Sequence, residues 1–446
     1  MGLLLSAALT SSPLPANILC RIQCAGNSNA GHNRTQRPPR NTQEQTVDDN
    51  AAAPLTGITV LEVGVFMAGP FATMQLADLG ARVLKIENPD AGDQTRDTGP
   101  HIAGESSPFM RLNRNKESVA LDLKSEAGKA AFLRLAARAD VLVENLRPGA
   151  MRRLGLGYED LAAVNPGLIY ASASGWGQDG PLSPLAGLDI MAQARSGLMS
   201  ITGHPGMPPA KVGVPVCDLT AALYVALSIT AALHERDRSG RGQHVDVSLL
   251  ESGVSYAVWE AAAYFVDGSV GGPNGSAHQN QAPYQAVVTQ DGYVTIGANT
   301  PRNWVAFCTA MGLEELLEDP RYTKPYSRLQ SRETLIATIE ERTRQLGTDE
   351  ILEILNGAGV PCAPISDYGQ VFTDDHLHAR EFFWDSDHPK AGTVEQIGSP
   401  MRFSRTPAVR RSAGPVLGAD TRAVLAEAGL SESELDSLDP TAHAHD

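Results

Sequence analysis

Short apolar runs alternate with helical patterns along the first half of the chain after residue 54. The runs at 58–63 and 81–86 predict strands, and the pattern at 71–79, ending at Gly80, predicts a helix between them. Further strands are predicted at 118–123, 141–144 and 168–174, with helices at 125–137, 190–196 and 219–235. A repeated strand–helix–strand order predicts a parallel sheet covered by helices.

The second half has a different pattern. Strands are predicted at 284–288 and 293–296, followed by helices at 303–311 and 332–345. Short strands with helices gathered after them are typical of a small α+β unit. The stretches at 266–277 and 383–392 are plausible linkers on either side of it.

Residues 1–53 show no periodicity and are rich in Asn, Gln, Pro, Thr and Ser after position 23, which predicts a disordered tail or a targeting segment. Its first 16 residues are apolar, four arginines follow between 21 and 40, and no acid precedes Glu44. These features fit a mitochondrial transit peptide, and they also fit a wrongly assigned start of a bacterial gene. Both interpretations stay open.

Charge narrows the choice of partners. The chain has 446 residues and a net charge of -15, which argues against nucleic acid or an anionic membrane as the main partner. The stretch 81–155 is nevertheless locally basic, with 13 Lys/Arg against 10 Asp/Glu, and can serve a phosphate-bearing ligand. The longest apolar run, 219–233, is interrupted by Thr220, Ser228 and Thr230 and predicts a buried helix rather than a membrane span.

The five cysteines predict reduced thiols in an intracellular protein, because their number is odd and their spacing matches no metal site. We therefore expect a cytoplasmic protein, or a mitochondrial matrix protein if the source is eukaryotic. No His/Cys/Asp/Glu cluster predicts a metal.

One motif near the start suggests a nucleotide or S-adenosylmethionine site. VLEVG at 60–64, then Gly69 and the acidic Glu87, resembles a nucleotide-binding strand–turn–helix. The bulky Phe66 and Met67 stand where a phosphate-binding turn needs glycine, so this interpretation is disfavoured.

Asp218 is a candidate for chemistry, although its local pattern favours a structural role. It follows an extended segment containing Pro215 and precedes a long apolar helix, so we expect it to be the N-cap residue. A helix N-terminus favours the ionised carboxylate and lowers its pKa. An ionised, positioned carboxylate can attack a thioester and form a covalent acyl intermediate.

Other candidates have a structural and a functional interpretation. Asp189 is predicted to cap the helix at 190–196, with an acid/base role as the alternative. His204 is expected on a surface loop and His244 as a structural histidine at a strand entry. Gly271, Gly272 and Gly275 predict a mobile turn. The alternative interpretation is a glycine-rich lid over a bound substrate.

Ordered strings along nearly the whole chain after residue 54 carry a family resemblance. They include PLTGITVLEVG (54–64), MAGPFATMQLADLGARVLKIE (67–87), NRNKESVALDLKS (113–125), LVENLRPGAMRRLGLGYEDL (142–161), GRGQHVDVSLLES (240–252) and GVPCAPI (359–365). The chain resembles the class III (CaiB/BaiF-type) coenzyme A transferases. It is most similar to the dicarboxylate-using branch that includes succinate–hydroxymethylglutarate CoA-transferase.

The resemblance implies an enzyme that moves coenzyme A from an acyl-CoA to a carboxylic acid, with succinyl-CoA the expected donor and a dicarboxylic acid the expected acceptor. Asp218 takes the position of the nucleophile that forms an aspartyl-CoA thioester. Acyl-CoA and the free acid are the ligands, and no permanently bound cofactor or metal is implied. The implied coenzyme-binding residues are Met67, Ala68, Asn88, Leu121, Asp122, Leu123, Lys124, Asn145, Leu146, Arg147 and Arg153. The implied substrate loop contains Gly271, Gly272 and Gly275, whose backbone N–H groups are suited to stabilise an oxyanion.

The chain departs from formyl-CoA transferase at the implied site. Val65-Phe66-Met67 replaces His-Val-Gln, and Asn88 replaces an arginine, which puts formate and oxalate in doubt. The related α-methylacyl-CoA racemases have a histidine where this chain has Leu188, and leucine cannot exchange a proton. Racemase or epimerase activity and a non-catalytic acyl-CoA-binding role are the alternatives.

The family fold implies an interlocked homodimer with a Rossmann-like large α/β domain and a small α+β domain. The large domain is expected from 54–265, completed by 392–446, and the small domain from 278–383. Arg302 and His278 border the small domain, and we hypothesise that they meet the distal carboxylate of a substrate.

Overall fold

A computed structural model describes residues 52–438, so the prediction for the tail falls almost entirely outside the described residues. The elements of the first half are β1 (Thr59–Val63), α1 (Ala68–Asp78), β2 (Arg82–Glu87), β3 (His101–Ile102), β4 (Glu105–Ser106), α2 (Ser107–Leu112), β5 (Lys116–Ala120), α3 (Glu126–Ala136), β6 (Val141–Glu144), α4 (Ala150–Arg153), α5 (Tyr158–Val164), β7 (Ile169–Ser174), α6 (Asp189–Arg195), α7 (Leu198–Ile201), α8 (Val216–Ser239), β8 (His244–Ser248), α9 (Leu249–Val254) and α10 (Val258–Asp267). A short 3-10 helix lies at Gln94–Asp97.

The remaining elements are β9 (Tyr284–Val288), β10 (Tyr293–Gly297), α11 (Pro301–Met311), α12 (Glu315–Glu318), α13 (Pro325–Gln330), α14 (Arg332–Thr343), α15 (Thr348–Gly357), β11 (Cys362–Pro364), α16 (Tyr368–Phe372), α17 (Asp375–Ala379), β12 (Phe383–His388), β13 (Gly392–Ile397), α18 (Thr421–Glu427) and α19 (Glu432–Leu438). The predicted strands and helices of both halves therefore exist, with bounds that shift by a few residues.

The central sheet has six strands in the order β5-β2-β1-β6-β7-β8, and every neighbouring pair is parallel. Counted within this sheet alone, the order is 3-2-1-4-5-6, which is the doubly wound arrangement. The Rossmann-like α/β fold predicted from the sequence is confirmed. The winding direction reverses between β1 and β6, and ligands of such sheets bind outside the carboxyl ends of the strands at that point.

The two faces of the sheet bury separate cores. Alternate residues of a strand point to opposite faces. Val60 on β1 packs in a cluster with residues of α1 and α8, such as Leu76 and Val225. Its neighbour Leu61 packs in the other cluster, which includes Phe132 of α3 and Leu425 of α18. The C-terminal helices thus help to cover the sheet that the N-terminal strands form.

Residues of the second half have a core of their own. The strands β11-β10-β9 form an antiparallel sheet, and α11, α14 and α15 contribute Trp304, Phe307, Ile339 and Leu355 to a buried cluster. Strands β12 and β13 form a separate antiparallel pair. This arrangement has the character expected for the small α+β unit, whereas the exact domain limits remain predictions.

Helix α8 is the longest apolar segment of the described chain. Its 24 residues are long and apolar enough to cross a bilayer, and half of its most apolar window is buried inside the fold. It packs against α1 and the sheet through residues such as Ala221, Val225 and Ile229, all fully buried. The prediction of a buried helix therefore holds for this face.

Candidate active site

The turn between β1 and α1 is clamped by one side chain from the neighbouring strand connection. Asn145, directly after β6, accepts the N–H of Val65 at 2.9 Å and donates to the carbonyl of Val65 at 2.8 Å. A Cβ atom at Gly64 or Gly69 would come within 3.0 Å of the Asn145 Oδ1 atom. The two glycines therefore leave room for this clamp, which ties together β1 and β6 at the point where the winding reverses.

Phe66 occupies the left-handed region in this turn, with φ of 57°, which is uncommon for a residue with a large side chain. Its N–H donates to Asp93 Oδ1 at 3.2 Å. The Asp93 carboxylate in turn lies 2.9 Å from Lys85 Nζ. A buried ion pair thus helps to hold the Phe66 backbone in its unusual conformation, while the Phe66 side chain stays half exposed.

The ion pair belongs to a buried charge cluster made of Glu62, Lys85, Lys116 and Asp93. Glu62 lies 2.6 Å from Lys85 Nζ and 2.8 Å from Lys116 Nζ, and it also accepts from Thr73 at 2.5 Å. Burial alone would raise the pKa of Glu62, but the two lysines outweigh it and lower that pKa to about 2. Burial lowers the pKa of Lys116 to about 8. The sequence analysis missed this cluster, although single charges inside the apolar runs VLEV and VLKI were a signal for it.

A cavity of about 830 Å³ opens beside this turn. Its walls come from the segments after β1, β6 and β7, from the start of α6, and from the loop and first turn of α8. Its polar side chains are contributed by Thr95, Asn145, Arg147, Ser174, Asp189, Lys211 and Asp218. The candidate nucleophile therefore faces a ligand-sized space at the switch point of the sheet, as expected for a doubly wound fold.

Asp218 is the third residue of α8, and Pro215 takes the N-cap position, so the predicted capping role of Asp218 is wrong. The missing cap comes from another helix. Asp189 Oδ1 accepts the N–H groups of Cys217 and Asp218 at 2.9 and 3.3 Å. The prediction that Asp189 caps its own helix is also wrong, because the N-cap residue of α6 is Leu188. Because Asp189 caps α8, the Asp218 carboxylate is not used as the cap and can face the cavity.

Gln193 fixes this arrangement from inside the fold. Its side chain is fully buried and donates to Asp189 Oδ2 at 2.6 Å. The same side chain accepts the N–H of Val212 at 2.9 Å. The carboxylate that caps α8 and the loop that precedes α8 are thus attached to one buried amide.

Burial and the nearby Asp189 charge raise the pKa of Asp218 to about 7. This contradicts the expectation that the helix terminus keeps the pKa low. No cation pairs with Asp218 among residues 52–438 to offset the loss of solvent. A carboxylate that is poorly solvated and unpaired, yet still about half ionised at neutral pH, is well suited to attack a carbonyl carbon.

Five of the residues predicted to bind the coenzyme line the Asp218 cavity: Met67, Ala68, Asn145, Leu146 and Arg147. Asn88 and the segment 121–124 do not line it, but they follow β2 and β5 and so lie at the same edge of the parallel sheet. The Leu121 side chain is buried in the core, which leaves only its backbone for ligand contact. These positions follow four neighbouring strands, in the order β5, β2, β1, β6, and so form a strip along one edge of the sheet.

Arg153 and the glycine turn lie elsewhere in the single chain. Arg153 is exposed at the end of α4 and does not line the Asp218 cavity. Gly271, Gly272 and Gly275 line a separate cavity of about 310 Å³ beside α10. His278 lines a third cavity, of about 540 Å³, and Arg302 lies in the first turn of α11. One chain therefore does not bring these predicted residues to Asp218.

The other two histidines considered in the sequence, His204 and His244, also lie outside the Asp218 cavity. His204 is exposed on a loop, as predicted. His244 Nε2 lies 3.0 Å from Ser172 Oγ, and its ring stacks on Tyr158. Glu87, the acid of the disfavoured nucleotide interpretation, is buried and paired with Arg96 at 2.7 Å. These contacts give His244 and Glu87 structural roles.

Comparison with known proteins identifies the family. CoA-transferase family III matches residues 55–421. A succinyl-CoA:glutarate CoA-transferase of Mus musculus is 38% identical over 85% of this chain and 87% of the relative. An acetyl-CoA:oxalate CoA-transferase of Acetobacter aceti is 36% identical over 81% of this chain and 92% of that protein. The crystal structure of a CAIB/BAIF family protein from Brucella suis superimposes with a TM-score of 0.76 and 37% identity, over 84% of this chain and 100% of that one.

These matches confirm the resemblance, the enzyme class and the fold that the sequence predicts. They cover the sheet, the Asp218 cavity and the small α+β unit alike. The chain belongs to CoA-transferase family III.

Proposed function

We propose that this chain transfers coenzyme A from succinyl-CoA to a dicarboxylic acid, with Asp218 as the nucleophile. The acceptors named for the two relatives, glutarate and oxalate, both carry two carboxylates. Val65-Phe66-Met67 departs from the formyl-CoA transferase pattern, so we favour an acid longer than oxalate. The observation that carries the proposal is the unpaired Asp218 carboxylate facing an 830 Å³ cavity at the switch point.

The proposed reaction conserves the thioester. An Asp218 carboxylate oxygen attacks the acyl carbon of succinyl-CoA, the C–S bond breaks, and a mixed anhydride and the CoA thiolate form. The thiolate then attacks the Asp218 carbonyl carbon, which gives an aspartyl-CoA thioester and releases succinate. The acceptor carboxylate attacks this thioester and expels the thiolate, forming a second anhydride. Attack of the thiolate on the acceptor carbonyl yields the new acyl-CoA and restores the Asp218 carboxylate.

The strip of predicted coenzyme contacts supports the placement of the CoA moiety. Arg147 reaches the cavity at the Asp218 end, and Lys124 follows β5 at the far end. Guanidinium and ammonium groups suit the phosphates of the coenzyme. CoA serves here as a substrate, and we propose no permanently bound cofactor.

Leu188 bears on the racemase alternative. Its side chain is 64% exposed and lines the Asp218 cavity. Racemisation needs two groups that exchange a proton on opposite faces of the α-carbon. A hydrocarbon at this position favours acyl transfer over racemisation.

We further propose that the active form is the interlocked homodimer of the family fold. The surface of α10 and the segment after it exposes Trp259, Phe265, Val266 and Val270, with Phe265 82% and Val266 85% exposed. An apolar patch of this kind marks an interaction surface. Light scattering of the purified protein, expected to give twice the chain mass, tests this step.

The three cysteines among the described residues, Cys217, Cys308 and Cys362, are free thiols. They support a reducing compartment, so we propose the cytoplasm, or the mitochondrial matrix if the source is eukaryotic.

The transfer assay tests the proposed function. Purified protein is incubated with succinyl-CoA and either glutarate or oxalate, and acyl-CoA products are followed by chromatography. We expect glutaryl-CoA to appear with total thioester unchanged. Asp218→Asn should lower the rate by at least about a thousandfold, because the amide cannot act as the nucleophile.

Asp375→Asn is the matched control. Asp375 also lies in the first turn of a helix, α17, but it is exposed and outside the Asp218 cavity. This variant should keep wild-type activity. Full activity of Asp218→Asn, or exchange of an α-hydrogen without acyl transfer, would overturn the proposal.

A further inference from the structure

We propose that Lys211 recognises the distal carboxylate of the acid bound at Asp218, and so selects dicarboxylates. This inference rests on the proposed transferase function and names a residue that the sequence analysis did not consider. Lys211 lies on the loop before α8 and lines the same cavity as Asp218.

Because the cavity is acidic near Asp218, a dicarboxylate bound there needs a cationic side chain to offset its distal charge. Asp218 and Asp189 are both acidic and lie close enough for Asp189 to raise the pKa of Asp218. A dicarboxylate brings two further negative charges, one at the reacting end and one at the distal end. Only two lysine or arginine side chains of the described residues line the cavity, Arg147 and Lys211.

These two cations lie on different walls. Arg147 follows β6 and belongs to the strip of predicted coenzyme contacts. Lys211 lies on the loop that leads into α8, outside the basic stretch 81–155. If Arg147 serves the coenzyme, Lys211 is the cation left for the acid.

The Lys211 ammonium group is free to take an anionic partner. It donates to the carbonyls of Val212 and Gly213 at 3.0 and 3.5 Å, one and two residues further along the chain. Within residues 52–438 it forms no ion pair. A bound carboxylate would supply the charged hydrogen-bond acceptor that these local carbonyls do not.

The backbone that carries Lys211 is nevertheless fixed relative to Asp218. The N–H of Val212 donates to the buried Gln193 side chain, which also binds Asp189 Oδ2. Asp189 Oδ1 then accepts from the backbone of Cys217 and Asp218. This chain of hydrogen bonds holds the loop backbone next to Lys211 in place relative to the start of α8, which limits the distances that the lysine side chain can reach from Asp218.

The earlier hypothesis for the distal carboxylate named Arg302 and His278. Neither lines the Asp218 cavity in this chain. Lys211 can pair with the distal carboxylate from within the cavity, without a residue from the small α+β unit.

The test compares Lys211→Met and Lys211→Arg with the wild type. Lys211→Met should raise the KM for glutarate by about 10- to 100-fold and change kcat by less than about threefold, as expected when one charge-assisted hydrogen bond made equally in ground and transition states is lost. Lys211→Arg should restore the KM to within about threefold of wild type, since it returns a cation. Lys324→Met, at an exposed lysine outside the cavity, should behave as wild type.

A second measurement distinguishes loss of the Lys211 charge from a general disturbance of the fold. In single turnovers at acyl-CoA concentrations well below saturation, the reaction of the Lys211→Met protein should slow by about tenfold with succinyl-CoA and by less than about twofold with butyryl-CoA, in which a methyl group replaces the distal carboxylate. An unchanged KM for glutarate in Lys211→Met, or a rise that arginine does not rescue, would overturn the inference. Wild-type protein that transfers CoA to no dicarboxylate would instead overturn the proposed function itself.

Discussion

Two carboxylates near the same edge of the sheet, Glu62 fully buried and Asp218 partly buried, have opposite electrostatic surroundings. Glu62 on β1 is fully buried but lies within 2.8 Å of two lysine ammonium groups, and its pKa falls to about 2. Asp218 on α8 is mostly buried, with a second carboxylate as its charged neighbour, and its pKa rises to about 7. Burial raises the pKa in both cases, and the sign of the neighbouring charge decides the outcome.

This difference distinguishes a carboxylate that stabilises the fold, Glu62, from the carboxylate proposed to react, Asp218. A neutralised buried charge contributes to a defined structure, and here the Glu62 cluster reaches the Phe66 turn through Lys85 and Asp93. A buried carboxylate without a counter-charge is costly, and such groups concentrate at functional sites. The Glu62 cluster and the Asp218 cavity meet at the β1–α1 turn. The cluster therefore holds in place one wall of the cavity that contains Asp218.

The largest expected effect on stability comes from removing the charge of Glu62. Glu62→Gln leaves Lys85 and Lys116 buried without their shared partner, so we expect a loss of about 3–5 kcal/mol in the free energy of unfolding. Urea unfolding followed by circular dichroism measures it. Asp218→Asn is the matched variant and should be as stable as wild type or more so. A loss below about 1 kcal/mol in Glu62→Gln would show that the cluster is not the scaffold we describe.

A smaller effect should follow from changing the neighbour of Asp218. Transfer requires ionised Asp218, so the acylation rate of the wild type should rise with pH, with a midpoint at about 7, and level off at higher pH. Asp189→Asn removes the repelling charge while its side-chain oxygen can still accept from the start of α8. The midpoint of the pH–rate profile should therefore move to lower pH by roughly one unit. A stopped-flow acylation assay measures this, and an unmoved midpoint would exclude Asp189 as a cause of the raised pKa.

The smallest effect is the pH dependence of stability, which should have opposite signs for the two carboxylates. The pKa of Glu62 is lower in the folded state than its ordinary value of 4.5, so its contribution is complete above pH 4.5 and is lost as the pH falls toward 2. The pKa of Asp218 is higher than its ordinary value of 3.8, so Asp218 costs stability increasingly as the pH rises from 3.8 to 7.

Thermal unfolding across this pH range checks both signs. Asp218→Asn should gain stability over wild type as the pH rises toward 7. Glu62→Gln should show a weaker loss of stability than wild type between pH 4.5 and 2. If the stabilities of the two variants, relative to wild type, changed with pH in the same way, the opposite signs proposed for Glu62 and Asp218 would be wrong.

Much of the fold follows from the sequence pattern, because parallel strands buried on both faces are continuous apolar runs. The buried parallel strand at 141–144 has the bounds that its apolar run predicts. The antiparallel strand at 284–288 also has its predicted bounds, although it is only partly buried. The start of α8 lies three residues earlier than predicted, at Val216 rather than Leu219, because Pro215 takes the N-cap position. That small shift moved Asp218 from the cap into the first turn.

The site was only partly predictable, for reasons of distance along the chain. Asp189 caps a helix that begins 27 residues later, and no local pattern signals such a contact. The pKa of Asp218 was predicted in the wrong direction, since neither its burial nor its acidic neighbour is visible in the segment that contains it. The nucleophile itself came from the family resemblance, and the identity of the family is confirmed.

The central claim is that Asp218 forms a covalent intermediate with the transferred group. The most direct measurement is mass spectrometry of the protein mixed with succinyl-CoA in the absence of acceptor, followed by digestion and mapping of the modified peptide. We expect the peptide that contains Asp218 to gain the mass of coenzyme A less one water, as a thioester does, and hydroxylamine to convert this adduct to a hydroxamate at Asp218. Wild-type protein that transfers CoA at full rate while Asp218 stays unmodified and insensitive to hydroxylamine would contradict the account.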